Sequence, residues 1–153
     1  MRLRTWTAFF AEGTLIFCNS TFAKDYKNAG AANIYLGPEE RGYLKALQDF
    51  TRDFDPRAAI ADVKVSSPTL VRGYALRGPN AYAAYIHAYT DHKNPTTGIS
   101  ITIEPQSGGT ATWISPATGQ VLGRQRVSAG SQNLQVPAFT TDIALKIVEV
   151  ARN

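Results

Sequence analysis

At 153 residues, the chain has room for one domain, or for one domain with an appended segment. Its hydrophobic share of 44% and charged share of 18% are typical of a globular protein and exclude wholesale disorder. The net charge is +4, but the 16 Lys and Arg residues are scattered rather than gathered into a stripe with aromatic side chains. We therefore expect no nucleic-acid binding.

The first 25 residues allow two interpretations. A basic start, an apolar middle and the sequence Thr21-Phe-Ala23 resemble a signal peptide with its cleavage site. Glu12 and Gly13 interrupt the apolar stretch, however, and leave no run long enough for a transmembrane helix. The single cysteine, Cys18, excludes an intramolecular disulfide and a zinc site, so it is expected to be a small buried residue.

Residues 38 to 54 are predicted to form an amphipathic helix. Pro38 suits the first turn, Glu39 and Glu40 favour the positive end of the helix dipole, and the pattern stops before Pro56. Apolar residues recur along one face at Tyr43, Leu44, Leu47, Phe50 and Phe54. A single helix of this kind needs something to pack on, either a sandwich within the chain or a missing domain.

From about Asp62 the pattern changes to period two. Short segments rich in Val, Ile, Tyr and Thr alternate with turns containing Gly, Pro and Ser, and no helix lies between them. Eight such segments predict a mainly β protein, an antiparallel β-sandwich or barrel preceded by the helix. The segments are ADVKVSS, LVRGYALRG, AYAAYIHAYT, GISITIEP, GTATWIS, GQVLGRQRV, QNLQV and DIALKIVEV.

Two motifs in the β region carry a family resemblance. A strand ends in W-x-x-P-x-T-G, and the last strand reads P-x-F-x-x-D-x-A-L. With VRGYALR and AYIHAYTD, they make residues 59 to 153 resemble the C-terminal β-sandwich behind the catalytic barrel of bacterial glycoside-hydrolase-like proteins. That domain is catalogued as the collagen-binding domain of a collagenase. The motif positions matched are Trp113, Pro116, Thr118, Gly119, Pro137, Phe139, Asp142, Ala144 and Leu145.

The resemblance implies that residues 1 to 58 are the end of a (β/α)₈ barrel. The stretch from Phe9 to Ser20 is similar to the last barrel strand, and the helix is similar to the one leading into the sandwich. A barrel needs about 250 residues, so most of it is absent and the chain is not expected to be an enzyme. Glycosidases use two facing carboxyl groups, and no such pair is recognisable in the sequence.

The acidic residues have structural interpretations instead. Glu39 and Glu40 are adjacent at a helix start, and Glu12 has no partner carboxylate. Glu104 and Asp142 lie at strand ends, where we expect solvated or turn-capping side chains.

The candidate ligand-binding residues are Tyr85, His87, Tyr89 and Trp113. The first three share one face of a predicted strand, where they form either a patch for sugars or a sheet face covered by the barrel. Trp113 is either a platform for a sugar or an anchor in the core beside the SPATGQ turn. The Pro, Thr and Gly of this turn are accounted for by turn formation, without a ligand. His92 has only Asp91 beside it, so no metal site is expected.

The resemblance implies an accessory β-sandwich that supports a catalytic barrel, on the same or a separate chain, and binds polysaccharide or matrix. Two alternatives remain open: a free-standing secreted carbohydrate-binding module, and part of a hydrolase whose barrel is on another chain. No cofactor, metal or membrane span is expected. The resemblance implies an extracellular or periplasmic location.

Overall fold

A computed structural model describes residues 1–13, 37–52, 54–79 and 81–149, without the side chain of residue 149. The first two elements are helices, α1 (Arg2–Phe10) and α2 (Pro38–Thr51). The strands are β1 (Ala59–Ala61), β2 (Lys64–Val65), β3 (Val71–Arg77), β4 (Ala81–Ala88), β5 (Ser100–Ile103), β6 (Gly109–Ile114), β7 (Val121–Val127), β8 (Gln132–Gln135) and β9 (Asp142–Glu149).

The strands form two antiparallel sheets. The larger has the order β1-β3-β4-β9-β6-β7, and the smaller has the order β2-β5-β8. The larger sheet ends in the edge strands β1 and β7 instead of closing on itself, so the architecture is a sandwich and not a barrel. The prediction of a mainly β, antiparallel sandwich is confirmed.

The first predicted strand is divided between the two sheets. Ala61 of β1 pairs with Ala75 in the larger sheet, whereas Lys64 of β2 pairs with Thr102 in the smaller one. The chain therefore changes sheets at residues 62 and 63. Alternation predicts extended backbone, but it does not specify the partner strand.

The inner core lies between the two sheets. Alternate residues of β4, Tyr82, Ala84 and Ile86, point toward Ile101 and Ile103 of β5, and all five are at most 1% exposed. The described residues of this core cluster are apolar or aromatic. Among them, Tyr82 has its hydroxyl partnered, because Tyr82 Oη donates to the carbonyl oxygen of Asp62 at 2.7 Å.

The two helices pack on the other face of the larger sheet, which we call the outer face. Trp6 and Phe10 of α1 and Phe50 of α2 are at most 3% exposed. They form the helix-covered cluster, whose buried members are Trp6, Phe10, Ala46, Phe50, Leu76, Ala83, Tyr85 and Ala144. The amphipathic helix thus has its packing partner within the chain.

The helix bounds differ slightly from the prediction. Proline at the first turn and two glutamates begin α2 as expected, but α2 ends at Thr51 rather than at residue 54. Phe54 is in the following turn, where its amide donates to the carbonyl oxygen of Thr51 at 2.9 Å.

The stretch that resembles the last barrel strand is described only over residues 9 to 13, so this interpretation stays a prediction. Phe9 and Phe10 are helical residues of α1 and pack in the helix-covered cluster. Residues 14 to 36, with Cys18 and the cleavage-like sequence, lie outside the described residues. No described helix has the length and apolar character needed to cross a membrane. The division at residue 58 into barrel remnant and sandwich stays a prediction.

Candidate functional site

The register of β3, β4 and β9 places Tyr85 and His87 on the outer face. Tyr85 pairs with Tyr74 on one side and Ala144 on the other. Two residues further along β4, His87 pairs with Arg72 of β3 and Asp142 of β9. Paired residues point to the same side of a sheet. The outer face thus brings together several side chains that are distant in sequence.

Tyr85 lies entirely beneath α1. It is 0% exposed, and its ring is stacked with Trp6 and Phe10 at centroid distances of 5.5 and 5.7 Å. Its hydroxyl donates to Asp142 Oδ2 at 2.9 Å. Burial, followed by the charge of Asp142, raises the pKa of Tyr85, so it stays neutral. The ring offers no free face to a ligand while α1 is in place.

Asp142 joins α1 to the sheet. Its side chain is 2% exposed, and Arg2 Nε donates to its Oδ2 at 2.9 Å. Burial alone would lower the pKa of Arg2, but the hydrogen bond and charge of Asp142 raise it overall. The expectation that Asp142 is a solvated or turn-capping residue is therefore wrong. The sequence pattern does not indicate the partner of Asp142, because Arg2 is 140 residues away in the chain.

Lys146 makes a second buried polar contact between sheet and helix. The residue is 9% exposed, and its Nζ donates to the carbonyl oxygen of Phe50 at 2.9 Å. Phe50 lies in the last turn of α2, where carbonyl groups lack partners within the helix. A cation there is also favoured by the helix dipole. Lys146 therefore fixes the C-terminal end of α2 on β9.

Tyr89, Arg72, His87 and Tyr74 form a more accessible surface, which we call the Tyr89 platform. Tyr89 is 52% exposed, and the Arg72 guanidinium lies over its ring at 4.4 Å from the centroid. The half-buried His87 ring stacks on Tyr74 with centroids 5.9 Å apart and planes 11° apart. His87 Nδ1 donates to the carbonyl oxygen of Ala88 at 2.8 Å. Because the guanidinium covers one face of the Tyr89 ring, a planar, polar ligand can stack only on the other face.

Trp113 lies on the opposite side of the sheet. It is 2% exposed in the inner core and pairs with Gly123 of β7. The next residue, Ile114, packs against the helix-covered cluster. In the turn that follows, Gly119 has φ of +74° and donates its amide to the Ser115 carbonyl oxygen at 2.7 Å.

The four sequence-predicted residues are thus not one site. Tyr85 and Trp113 are buried on opposite faces, and only His87 and Tyr89 belong to the accessible platform. Arg72 was missed as a platform residue. Its signal is present in the segment VRGYALR, because Arg72 and Tyr74 alternate with the inner residues Val71 and Ala75.

A cavity of about 390 Å³ lies where α1, α2 and the sheet edge meet, and it contains two carboxylates, Glu12 and Asp55. Asp55 binds Arg57 through its Oδ2 at 2.7 Å. The hydrogen bonds from Arg57 lower the pKa of Asp55 to about 2, so it is ionised at neutral pH and unsuited to donate a proton. Phe9, Phe54 and Leu76 supply apolar walls.

The remaining titratable candidates have local structural roles. Asp91 accepts hydrogen bonds from the backbone amides of Lys93 and Asn94. Its pKa is lowered mainly by the hydrogen bond from the Asn94 side chain and further by these two amides. His92 Nε2 donates to the Ala88 carbonyl oxygen at 2.9 Å. Within the described part of the chain, no three His, Cys, Asp or Glu side chains are grouped so that they could hold a metal ion.

Comparison with known proteins identifies a solved structure with a similar fold. No family model and no curated protein sequence matches the chain. A solved structure named "Glycoside hydrolase" is similar, with a TM-score of 0.51 and 13% sequence identity. The match covers 75% of this chain and 26% of that one. The chain thus spans about a quarter of that protein's length, and at this identity the likeness concerns the fold alone.

Proposed function

We propose that this chain is a non-catalytic accessory β-sandwich of a glycoside-hydrolase-like assembly, located extracellularly or in the periplasm. Its role is to support a catalytic barrel, on the same or a separate chain, and to help that barrel engage polysaccharide or matrix. The proposal rests on one observation above all, the likeness of three quarters of the chain to a quarter of a glycoside hydrolase. This proportion fits one domain of a larger enzyme.

Two features of the site support a non-catalytic role. Asp55, one of the two carboxylates in the cavity, is held ionised by Arg57. Asp142, the most deeply buried carboxylate of the outer face, is occupied by Arg2 and Tyr85. A glycosidase needs one carboxyl group to donate a proton and a second, facing it, to act as nucleophile or base. Both acids are instead engaged by arginines, Asp55 in a local ion pair and Asp142 in the contact with α1.

The experiment has two parts. First, the DNA on both sides of the coding sequence is sequenced to find a barrel-encoding region, either in the same reading frame or as a neighbouring gene. Second, the barrel protein is produced with and without the sandwich. We expect the two to copurify and the barrel to unfold at a higher temperature with the sandwich than without it. Hydrolysis of glycosides by the sandwich alone, or a barrel indifferent to its presence, would contradict the proposal.

A second candidate function is favoured by the Tyr89 platform. The half-exposed Tyr89 has one ring face not covered by Arg72 on which a sugar ring can stack, and the nearby guanidinium can donate to its hydroxyl groups. On this basis the chain is a free-standing, secreted carbohydrate-binding module. The two candidates differ in whether a barrel is needed.

Retention on insoluble polysaccharides and on collagen tests the second candidate. We expect Tyr89→Ala to abolish retention and Tyr89→Phe to preserve most of it, because stacking needs the ring. Leu70→Ala is the matched control, since Leu70 is a neighbouring apolar residue with a similar exposure of 53%. Equal retention of Tyr89→Ala and Leu70→Ala would exclude the platform, and retention on collagen alone would indicate a matrix ligand.

A further inference from the structure

The edge strand β7 carries two arginines on the part of the outer face beyond the helix-covered cluster. Arg124 pairs with Thr112 and Arg126 pairs with Thr110, so all four side chains share one side of the sheet. Thr110 also pairs with Val148, which is 55% exposed. We call these five residues the arginine strip. Both arginines are exposed.

The arginines of the strip differ in their surroundings from the four cations that form salt bridges among the described residues. Arg2, Arg52 and Arg57 each lie in a salt bridge with an aspartate. Among the salt bridges of the described residues, none joins Arg124 or Arg126 to a carboxylate. The strip is therefore a positive surface whose charge no described salt bridge offsets.

The spacing of the strip suits an extended anionic chain. Residues two apart on a strand lie roughly 7 Å apart on one face, so Arg124 and Arg126 present two guanidinium groups in a row. Each guanidinium can bind a carboxylate or a sulfate through two parallel hydrogen bonds. Thr110 and Thr112 add hydroxyl groups beside them, and Val148 offers an apolar surface to the less polar face of a sugar.

We propose that the arginine strip binds an acidic polysaccharide through its carboxylate or sulfate groups. This inference rests on the proposed function, in which the domain serves a carbohydrate-acting assembly, and it specifies the class of polysaccharide. A nucleic acid is the other polyanion of this kind. Proteins that bind single strands add aromatic side chains on which bases stack, and the strip consists of arginine, threonine and valine only.

Charged side chains on an edge strand also discourage pairing between sheet edges. That role would be met by lysine as well as by arginine. Recognition through paired hydrogen bonds, in contrast, requires the planar guanidinium group. The two roles are therefore separable by substitution.

Affinity electrophoresis of the full chain through gels with dextran, dextran sulfate or polygalacturonate tests the proposal. We expect retardation by one or both acidic polymers and none by dextran, and the two acidic polymers distinguish sulfate from carboxylate recognition. The double variant R124Q/R126Q should bind about tenfold or more weakly, from the loss of two charge-assisted contacts. R124K/R126K should bind less well than the wild type, and added salt should weaken all binding.

The matched control is R4Q/R41Q, which removes the same charge from two exposed arginines on α1 and α2. Equal loss of binding in the two double variants would overturn the proposal, because net charge alone would then explain the effect. Absence of retardation by both acidic polymers, or full binding by R124K/R126K, would also overturn it. Displacement of the polysaccharide by an equal concentration of single-stranded DNA would favour a nucleic acid instead. None of these results depends on a barrel, so this inference and the proposed function fail separately.

Discussion

The inner core and the helix-covered cluster lie on opposite faces of the same sheet and are stabilised differently. The inner core consists of apolar and aromatic side chains contributed by both sheets. The helix-covered cluster is mainly aromatic, and two buried charged residues, Asp142 and Lys146, lie at its border and bind α1 and α2. The inner face combines burial with the hydrogen bond from Tyr82 to the Asp62 carbonyl oxygen, whereas the outer face adds charged contacts to α1 and α2.

The difference teaches that the sandwich and its helices depend on different interactions. Burial of apolar surface holds the two sheets together with little dependence on direction. The position of α1, in contrast, is specified by the contact of Arg2 with Asp142 and by the stacking of Trp6 on Tyr85. We expect substitutions in the inner core to unfold the sandwich, and those at the polar contacts to release a helix first.

The largest effect is expected for Trp113→Ala. The substitution leaves a large cavity in the inner core and should lower the free energy of unfolding by about 4 kcal/mol. Urea denaturation measures it, and the control is Leu122→Ala at a position 48% exposed. A loss as small as that of the control would mean that the inner core does not hold the sandwich together.

Asp142→Ala should have the next largest effect. It leaves the Arg2 guanidinium and the Tyr85 hydroxyl without their common partner, and removal of one member of a buried pair costs about 3 kcal/mol. Hydrogen exchange should show loss of protection in α1 before β4. Asp91→Ala, at an exposed carboxylate, is the control. Simultaneous loss of protection in α1 and β4 would show that both faces unfold as one unit.

Alkaline pH should destabilise both faces through buried tyrosines. Burial raises the pKa of Tyr85 and Tyr82, so the folded state keeps both protonated above the unfolded pKa of about 10. Their stabilising effect is present below about pH 10 and declines as the pH rises further. Tyr85→Phe should therefore reduce the loss of stability between neutral and alkaline pH, whereas Tyr89→Phe, at an exposed ring, should not.

Thermal denaturation measures the stability loss at each pH. The difference between neutral and alkaline values is the relevant quantity, because Tyr85→Phe also removes a hydrogen bond to Asp142 at every pH. An unchanged alkaline loss in Tyr85→Phe would place the responsible group elsewhere.

Two glycines give the smallest effects, with opposite signs. Gly119 has φ of +74°, so Gly119→Ala should destabilise the turn beneath α2 by about 1 kcal/mol. Gly42 lies in α2 with no atom within 4 Å of an added Cβ, and Gly42→Ala should stabilise the helix by about 0.8 kcal/mol. Melting temperatures measure both. Effects of the same sign would contradict the backbone explanation.

Much of the fold could be predicted because the relevant interactions are periodic and local. Alternation marked the eight strand segments, and the 3.6-residue pattern together with Pro38 marked α2. For the candidate site, alternation predicted Tyr85, His87 and Tyr89 on one face, and the register has Tyr85 and His87 there. It did not separate the buried Tyr85 from the half-exposed Tyr89, because burial depends on which element covers the face.

The sequence by itself determined the fold class, the approximate strand positions and the amphipathic character of α2, since each follows from side-chain spacing along the backbone. Only the tertiary structure decided that α1 covers Tyr85, that Asp142 binds Arg2 from 140 residues away, and that the ADVKVSS segment divides between two sheets. These are contacts between distant parts of the chain. Their energies depend on geometry that residue order does not express.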